Sequence, residues 1–205
     1  MKKLVIFDFD GVLVNTCEFW FKLHKDANDH LTWERFEEMS HGNFLDTIKE
    51  VLDGGTYNRP HRAEEKYADA LHTIFSVDDI LHDVILSLQN DYTLAIISSA
   101  SEKLIETFIA KENLTHVFSD ILGYETHASK IIKINSLLQK YALAPTEAVI
   151  ITDTLGDIRE ANESKVSSIG VTWGLHQRET LEKGNPAKII DNPGVLVATV
   201  KEILG

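Results

Sequence analysis

Short, nearly continuous apolar runs recur along the chain at Leu4–Asp8, Thr93–Ser98, Val117–Leu122, Ala148–Thr152 and Ser167–Thr172, with a shorter one at Lys188–Asp191. They are rich in Ile and Val and do not alternate with polar residues, the pattern of strands buried on both faces. Between them the period changes to that of a helix. Asp78–Asn90 carries Ile80, Leu81, Val84, Ile85 and Leu88 at helical spacing. Ser101–Glu112 follows, with Ser101 placed as an N-cap. Lys130–Tyr141 lines up Ile131, Ile134, Leu137 and Leu138 on one stripe. Strand and helix in alternation predict an α/β fold, a doubly wound parallel sheet covered on both sides.

Residues from Asn15 to Ser76 break this rhythm. The pattern there is aromatic and helical, over Phe19–Asp29, Thr32–Met39, Asn43–Leu52 and Arg59–Phe75, with Gly54-Gly55 as a helix stop. A span of roughly 60 residues is too long for one crossover helix and too patterned for a loop. The division expected is an α/β core from residues 1–14 and 77–205, with residues 15–76 as a small helical cap over the C-terminal end of the sheet.

Composition narrows the function classes. The chain has 205 residues, 43% hydrophobic and 25% charged, with 20 basic against 32 acidic residues and a net charge of −12. That balance disfavours nucleic acid and anionic membranes as partners. A single cysteine, Cys17, excludes an intrachain disulfide and suits a reducing compartment. The apolar start of the chain stops at Asp8, too early for a signal peptide. No run approaches the ~18 apolar residues of a membrane span. The expectation is a cytoplasmic protein, monomer or homodimer.

Chemistry gathers at the strand ends. In open α/β sheets ligands bind beyond the carboxyl ends of the strands. The first strand ends in Asp8-Phe9-Asp10-Gly11, and alternation along a strand turns Asp8 and Asp10 to one side. Two such carboxylates repel unless a cation or a shared proton compensates. The next run ends at Ser98-Ser99. The run Ala148–Thr152 leads into Asp153-Thr154-Leu155-Gly156-Asp157, and Lys130 opens a helix toward the same edge. Four acids, a hydroxyl and a lysine suit a hard cation such as Mg²⁺. Neither a Gly-x-Gly-x-x-Gly nor a phosphate-loop motif is present, and the nine histidines show no His-x-x-x-His spacing.

Asp8-Phe9-Asp10-Gly11-Val12-Leu13, Ser98, Lys130 and Asp153…Asp157, in this order, resemble the four motifs of the haloacid dehalogenase (HAD) superfamily. Within it the chain is similar to phosphatases with a helical cap after the first motif. Gly170-Val171-Thr172-Trp173-Gly174 with Arg178-Glu179 looks most like the phosphoglycolate phosphatase group. The resemblance implies a Rossmann-like core and a Mg²⁺-dependent phosphatase acting on a small-molecule phosphate monoester. Asp8 would be the nucleophile. Asp10 would act as acid and then base, with its pKa raised for the task. Ser98 would donate to a phosphoryl oxygen, joined by Ser99 or Ser101, and Lys130 would offset charge. Asp8, the carbonyl of Asp10 and Asp153 would hold Mg²⁺, with Asp157 an outer ligand or an orienter of Lys130. In related caps a loop such as His41-Gly42-Asn43 faces the substrate, although a plain turn between helices explains it equally.

Three departures from the family pattern affect loop shape: Thr152 where glycine is frequent, Asn15 where aspartate is, and Ile131 where proline is. Phe19, Trp20, Trp33 and Phe36 read as cap packing, and Arg59 and Arg62 as solvated surface. The enzymatic rival is a sugar-phosphate mutase, because Ser98-Ser99-Ala100-Ser101 is also similar to the loop of such enzymes. Dehalogenation does not need Asp10, a phospho-receiver domain is shorter and uncapped, and a noncatalytic binder would not need the full set of reacting groups.

Overall fold

Leu4–Phe7 forms the first strand (β1), and all four of its side chains are fully enclosed. The computed structural model describes residues 2–42, 60–127 and 129–205. Five further strands join β1: β2 (Thr93–Ile97), β3 (Asp120–Leu122), β4 (Ala148–Thr152), β5 (Ser167–Val171) and β6 (Lys188–Ile190). All pairings are parallel, in the order β3-β2-β1-β4-β5-β6. The chain winds outward from β1 in one direction and from β4 in the other, so the order reverses between these two strands. That reversal opens a crevice at the carboxyl ends of the sheet.

The helices among the described residues are α1 (Cys17–Ala27), α2 (Trp33–Glu38), α3 (Ala63–Thr73), α4 (Asp79–Asp91), α5 (Glu102–Lys111), α6 (Lys130–Tyr141), α7 (Leu155–Glu163), α8 (Arg178–Glu182) and α9 (Leu196–Leu204). Local chemistry sets several starts. The Asp78 carboxylate accepts from the N–H groups of Ile80 and Leu81, and Thr32 accepts from Arg35 N. Ser129 accepts from Ile131 N and Thr154 from Asp157 N, which fixes the first turns of α6 and α7.

Alternation along the strands separates two apolar layers. Val5, Phe7, Leu94, Ile96, Val149 and Ile151 pack with α4, α5 and α9 through Leu81, Ile85, Phe108 and Val200. Leu4, Ile6, Ala95, Ile97, Ala148 and Ile150 pack on the other side, with Ile134, Leu137 and Leu138 of α6 and Ala161 of α7. Each fully buried side chain of this size contributes roughly 1.5–3 kcal/mol. The edge of the sheet where Asp8 and Asp153 emerge is therefore held rigidly from both faces.

The helical segment after β1 divides its allegiance. Cys17, Leu31, Phe36 and Met39 enclose a small core that includes Leu175, with Phe21 and Trp33 against it. Tyr67 and Leu71 of α3 instead belong to the main layer, where Phe19, Trp20 and Phe75 also pack.

The structure departs from the sequence reading at several points, one of them the start of α3, which begins at Ala63 after a turn over residues 61–62 that the expected helix had included. Residues 117–119 are turn and bend, not strand, because Val117 N bonds back to Leu114 O and only Ser119 N reaches Leu94 O of β2. Ser101 precedes α5 but makes no cap bond; its hydroxyl and the N–H of Glu102 both donate to Glu125. Helices α8 and α9 lie in the stretch after Gly174, where only a strand was expected. The helix expected over Asn43–Leu52, the Gly54-Gly55 stop and Arg59 lie outside the described residues.

Candidate active site

Phe7 pairs with Ile96 of β2 and Ile151 of β4, so the chain leaves β1 with Asp8 at the reversal point. Asp8 N still donates to Ile151 O at 2.9 Å, which extends the ladder one residue. Lys130 at the start of α6 bridges two carboxylates. Its Nζ donates to Asp8 Oδ2 and to Asp157 Oδ2, both at 2.6 Å. All three residues are buried. Burial lifts the Asp8 pKa well above the usual range against the pull of Lys130, with Asp157 and Asp153 adding repulsion. Burial also acts on Asp157, but Lys130 and the bonds from neighbouring groups overcome it and hold it at about 2. The lysine itself stays charged despite burial, because Asp157 and Asp8 raise its pKa. Asp157 thus contacts Lys130 directly and is held by it.

Asp153 follows β4 and is enclosed at 2% exposure. Its Oδ2 accepts from Leu175 N at 2.7 Å, while Oδ1 has no hydrogen-bond partner among the described residues. Burial pushes its pKa up to about 7. Two glycines make room for it. A Cβ on Gly11, whose φ is +75°, would sit 1.9 Å from Asp153 Oδ2, and one on Gly174 would sit 2.3 Å from the same atom. Cys17 lies alongside, with Sγ 4.0 Å from Asp153 Oδ2, and burial with the surrounding acids raises its pKa. A thiol held protonated in this way is a poor nucleophile.

Asp10 is half-buried, and its Oδ1 is crowded with donors. Thr16 Oγ1 donates at 2.5 Å, Tyr67 Oη at 2.6 Å and Trp20 Nε1 at 3.3 Å. Burial raises its pKa even against these three bonds. The direction agrees with the raised value that acid catalysis requires. Trp20 packs against both apolar clusters, as expected, and in addition donates to this acid. Tyr67 and Thr16 were not singled out at all.

Ser98 follows β2 with 1% exposure, and its Oγ accepts from Ala100 N at 3.0 Å. Its carbonyl takes the Nζ of fully buried Lys133 at 2.5 Å. Burial beside Lys130 brings the Lys133 pKa down to about 8. The two lysines of α6 thus separate: Lys130 reaches the carboxylates and Lys133 ties down the Ser98 loop. Ser99 is exposed.

His41 and Gly42 dock on the start of α7. His41 O accepts from Arg159 Nη1 at 2.6 Å, and its ring centroid lies 5.2 Å from that of His176. Gly156 N donates to Ser40 O at 3.0 Å, and a Cβ on Gly156 would approach Gly42 O to 2.6 Å. The pair therefore packs against the helix that carries Asp157. Asn43 lies outside the described residues. Arg62 is exposed and paired with Glu65, as a surface residue.

The departures from the family pattern have contacts of their own. Thr152 Oγ1 donates to Asp157 Oδ2 at 2.8 Å and accepts from Thr154 N at 3.2 Å. Ile131 retains the N–H that Ser129 caps. Asn15 Nδ2 donates to Trp173 O at 3.1 Å.

The donor set suits a hard divalent cation. Asp153 Oδ1 is a buried acceptor without a partner, and the buried acids outnumber the lysine that bridges two of them. No group of three or more His, Cys, Asp or Glu side chains among the described residues converges as a metal cluster. Mg²⁺ keeps several of its waters and needs only one or two carboxylates from a protein, so it does not require such a cluster.

The six-stranded parallel sheet thus gathers buried acids at its reversal point, two of them bridged by a lysine. The profile of the haloacid dehalogenase-like hydrolases matches residues 5–171, and the chain belongs to that family. A phosphoglycolate phosphatase of Aliivibrio fischeri is 25% identical over 97% of this chain and 96% of its own length. In structure, a hydrolase from Pseudomonas syringae superposes with a TM-score of 0.78 at 18% identity, covering 100% of both chains. A haloacid dehalogenase-like hydrolase from Streptococcus pneumoniae gives 0.74 at 21% identity, covering 97% of this chain and 98% of its own. The chain is a hydrolase of the haloacid dehalogenase type, as its motifs led one to expect. No helix among the described residues is long and apolar enough to cross a membrane.

Proposed function

We propose that this chain is a cytoplasmic, Mg²⁺-dependent phosphatase of a small phosphorylated metabolite, phosphoglycolate-like or a sugar phosphate, working through an aspartyl-phosphate. The observation that carries the reading is Lys130 bridging Asp8 and Asp157 at 2.6 Å each, beside Asp10, whose affinity for a proton is raised. Asp8 attacks phosphorus, and the phosphorus–oxygen bond to the leaving group breaks. Asp10 gives its proton to the departing oxygen, then takes one from the water that attacks the aspartyl-phosphate. Phosphate leaves and Asp8 returns to a carboxylate. Lys130 offsets charge on the nucleophile and on the transferring oxygens, and Ser98 turns its hydroxyl to one of them. Asp8, Asp153 and the Asp10 carbonyl are the groups that would hold Mg²⁺, whose charge stabilises the phosphoryl group in flight. An acidic protein binds an anionic ester in this way because the cation and Lys130 reverse the local sign.

The decisive test is a panel of phosphorylated metabolites with Mg²⁺, scored by kcat/KM and by release of inorganic phosphate. Phosphate should appear in step with substrate loss; isomerised sugar phosphate without phosphate release would instead establish the mutase. Chelation by EDTA should lower turnover about a hundredfold or more, with recovery on adding Mg²⁺. Full activity in EDTA would overturn the cofactor assignment.

A further inference from the structure

We propose that Tyr67, seconded by Trp20, is a positioning residue for the general acid, so that the helical insert aligns the proton donor of the reaction. The inference rests on the phosphatase reading above. Asp10 has one oxygen, Oδ1, that accepts from Thr16, Tyr67 and Trp20 at 2.5, 2.6 and 3.3 Å, while Oδ2 accepts nothing among the described residues. An oxygen that accepts three bonds has no room for a proton of its own. These three contacts fix the carboxyl plane and turn Oδ2, the oxygen left to carry the transferred proton, away from the donors.

The donors come from different elements. Thr16 precedes α1, Trp20 lies on it, and Tyr67 stands on α3, 57 residues away from Asp10 in sequence. Tyr67 is itself anchored, with 2% exposure, in the main apolar layer. Its ring centroid lies 4.7 Å from that of Trp20 and 5.9 Å from that of Phe19. Burial and the adjoining Asp10 raise the Tyr67 pKa, so the phenol remains a donor. A buried hydroxyl aimed at one carboxylate oxygen contributes more to orientation than to packing. Tyr67→Phe removes that bond and leaves the ring in place.

The test uses two substrates on the full-length protein with Mg²⁺: an alkyl phosphate, whose leaving oxygen needs a proton, and p-nitrophenyl phosphate, whose leaving group departs without one. The ratio kcat/KM reports steps up to aspartyl-phosphate formation, so it isolates leaving-group protonation. Tyr67→Phe should lower kcat/KM for the alkyl ester about tenfold to a hundredfold. The loss on p-nitrophenyl phosphate should be at least tenfold smaller. Its kcat should fall more than its kcat/KM, with a burst of nitrophenol, because water attack on the intermediate also needs Asp10. Trp20→Phe should give the same pattern more weakly, in line with its longer bond. Equal losses on both esters in both variants would mean that Tyr67 and Trp20 only hold the fold, and would overturn the inference with the phosphatase reading intact. A wild-type protein that hydrolyses neither ester would overturn both.

Discussion

Replacing Asp8 by Asn is expected to lower kcat for p-nitrophenyl phosphate on the order of 10⁴-fold or more, with KM nearly unchanged. The amide keeps the shape of the side chain but cannot attack phosphorus. The fold should survive. Asp8 Oδ1 accepts from Phe9 N at 2.7 Å and Oδ2 from Lys130 at 2.6 Å, and an amide offers only one acceptor oxygen, so one of these bonds is lost. Against that loss, Asp157 and Asp153 no longer face a third buried carboxylate. These opposed effects should leave stability within about 1–2 kcal/mol of wild type. Lys130 keeps its bond to Asp157, so the proposed phosphate site would retain its lysine. The diagnostic outcome is binding without turnover, checked by calorimetry with an unhydrolysed phosphate ester beside the rate assay. An Asp8→Asn protein with turnover above a hundredth of wild type would mean that another group is the nucleophile.

The core of this site was legible because its residues end strands or open helices. A run such as Ala148–Thr152 announces a buried strand by composition, and the acid that follows must then emerge at the sheet edge. Asp8, Asp153, Asp157 and Lys130 could be placed in that way, and the first turn of α6 begins at Lys130, as the pattern indicated. Tyr67, Trp20 and Thr16 could not. Helical periodicity marks Tyr67 as one apolar position among several on α3, and nothing local reports that its hydroxyl meets a carboxylate 57 residues earlier. A tyrosine in place of leucine on an otherwise buried stripe was the only available signal, since a buried phenol usually has a partner.

Lys133 was hidden for a different reason. Three residues after Lys130, it lies one helical turn along α6 and competes for the same role on sequence grounds. Only the register of β2 against α6 assigns it to the Ser98 carbonyl. Thr152 was seen as a departure in loop shape, yet its hydroxyl reaches Asp157, a contact that glycine could not make. Most strand and helix ends were legible within a residue or two; the exceptions are residues 60–62, which precede α3 without joining it, and residues 117–119, where Val117 and Phe118 are buried by the turn after α5 without pairing into the sheet.

Lys130→Met should be the most destabilising substitution at the site as well as a crippling one. Lys130 is 5% exposed and holds Asp8 and Asp157 together, 2.6 Å from each. Removing one member of a buried ionic cluster leaves uncompensated charge, which typically costs about 3–5 kcal/mol. In a chain of this size that corresponds to a fall in Tm of roughly 6–20 °C. Turnover should drop about 10²–10³-fold from the lost charge stabilisation. Acid should narrow the stability deficit. Without the ammonium, Asp8 and Asp157 have folded-state pKa values above their unfolded ones, so the folded variant binds protons that the unfolded chain does not. Its stability relative to wild type should therefore recover as pH falls from about 8 toward about 4. Lys130→Met with Asp157→Asn should regain part of the lost Tm at neutral pH, since the double change removes one of the two stranded charges, and should regain none of the activity. Melting curves across pH on the metal-free proteins measure this directly. A Lys130→Met protein as stable as wild type at pH 8, with no dependence on Asp157, would mean that the bridge does not hold the two carboxylates together in solution.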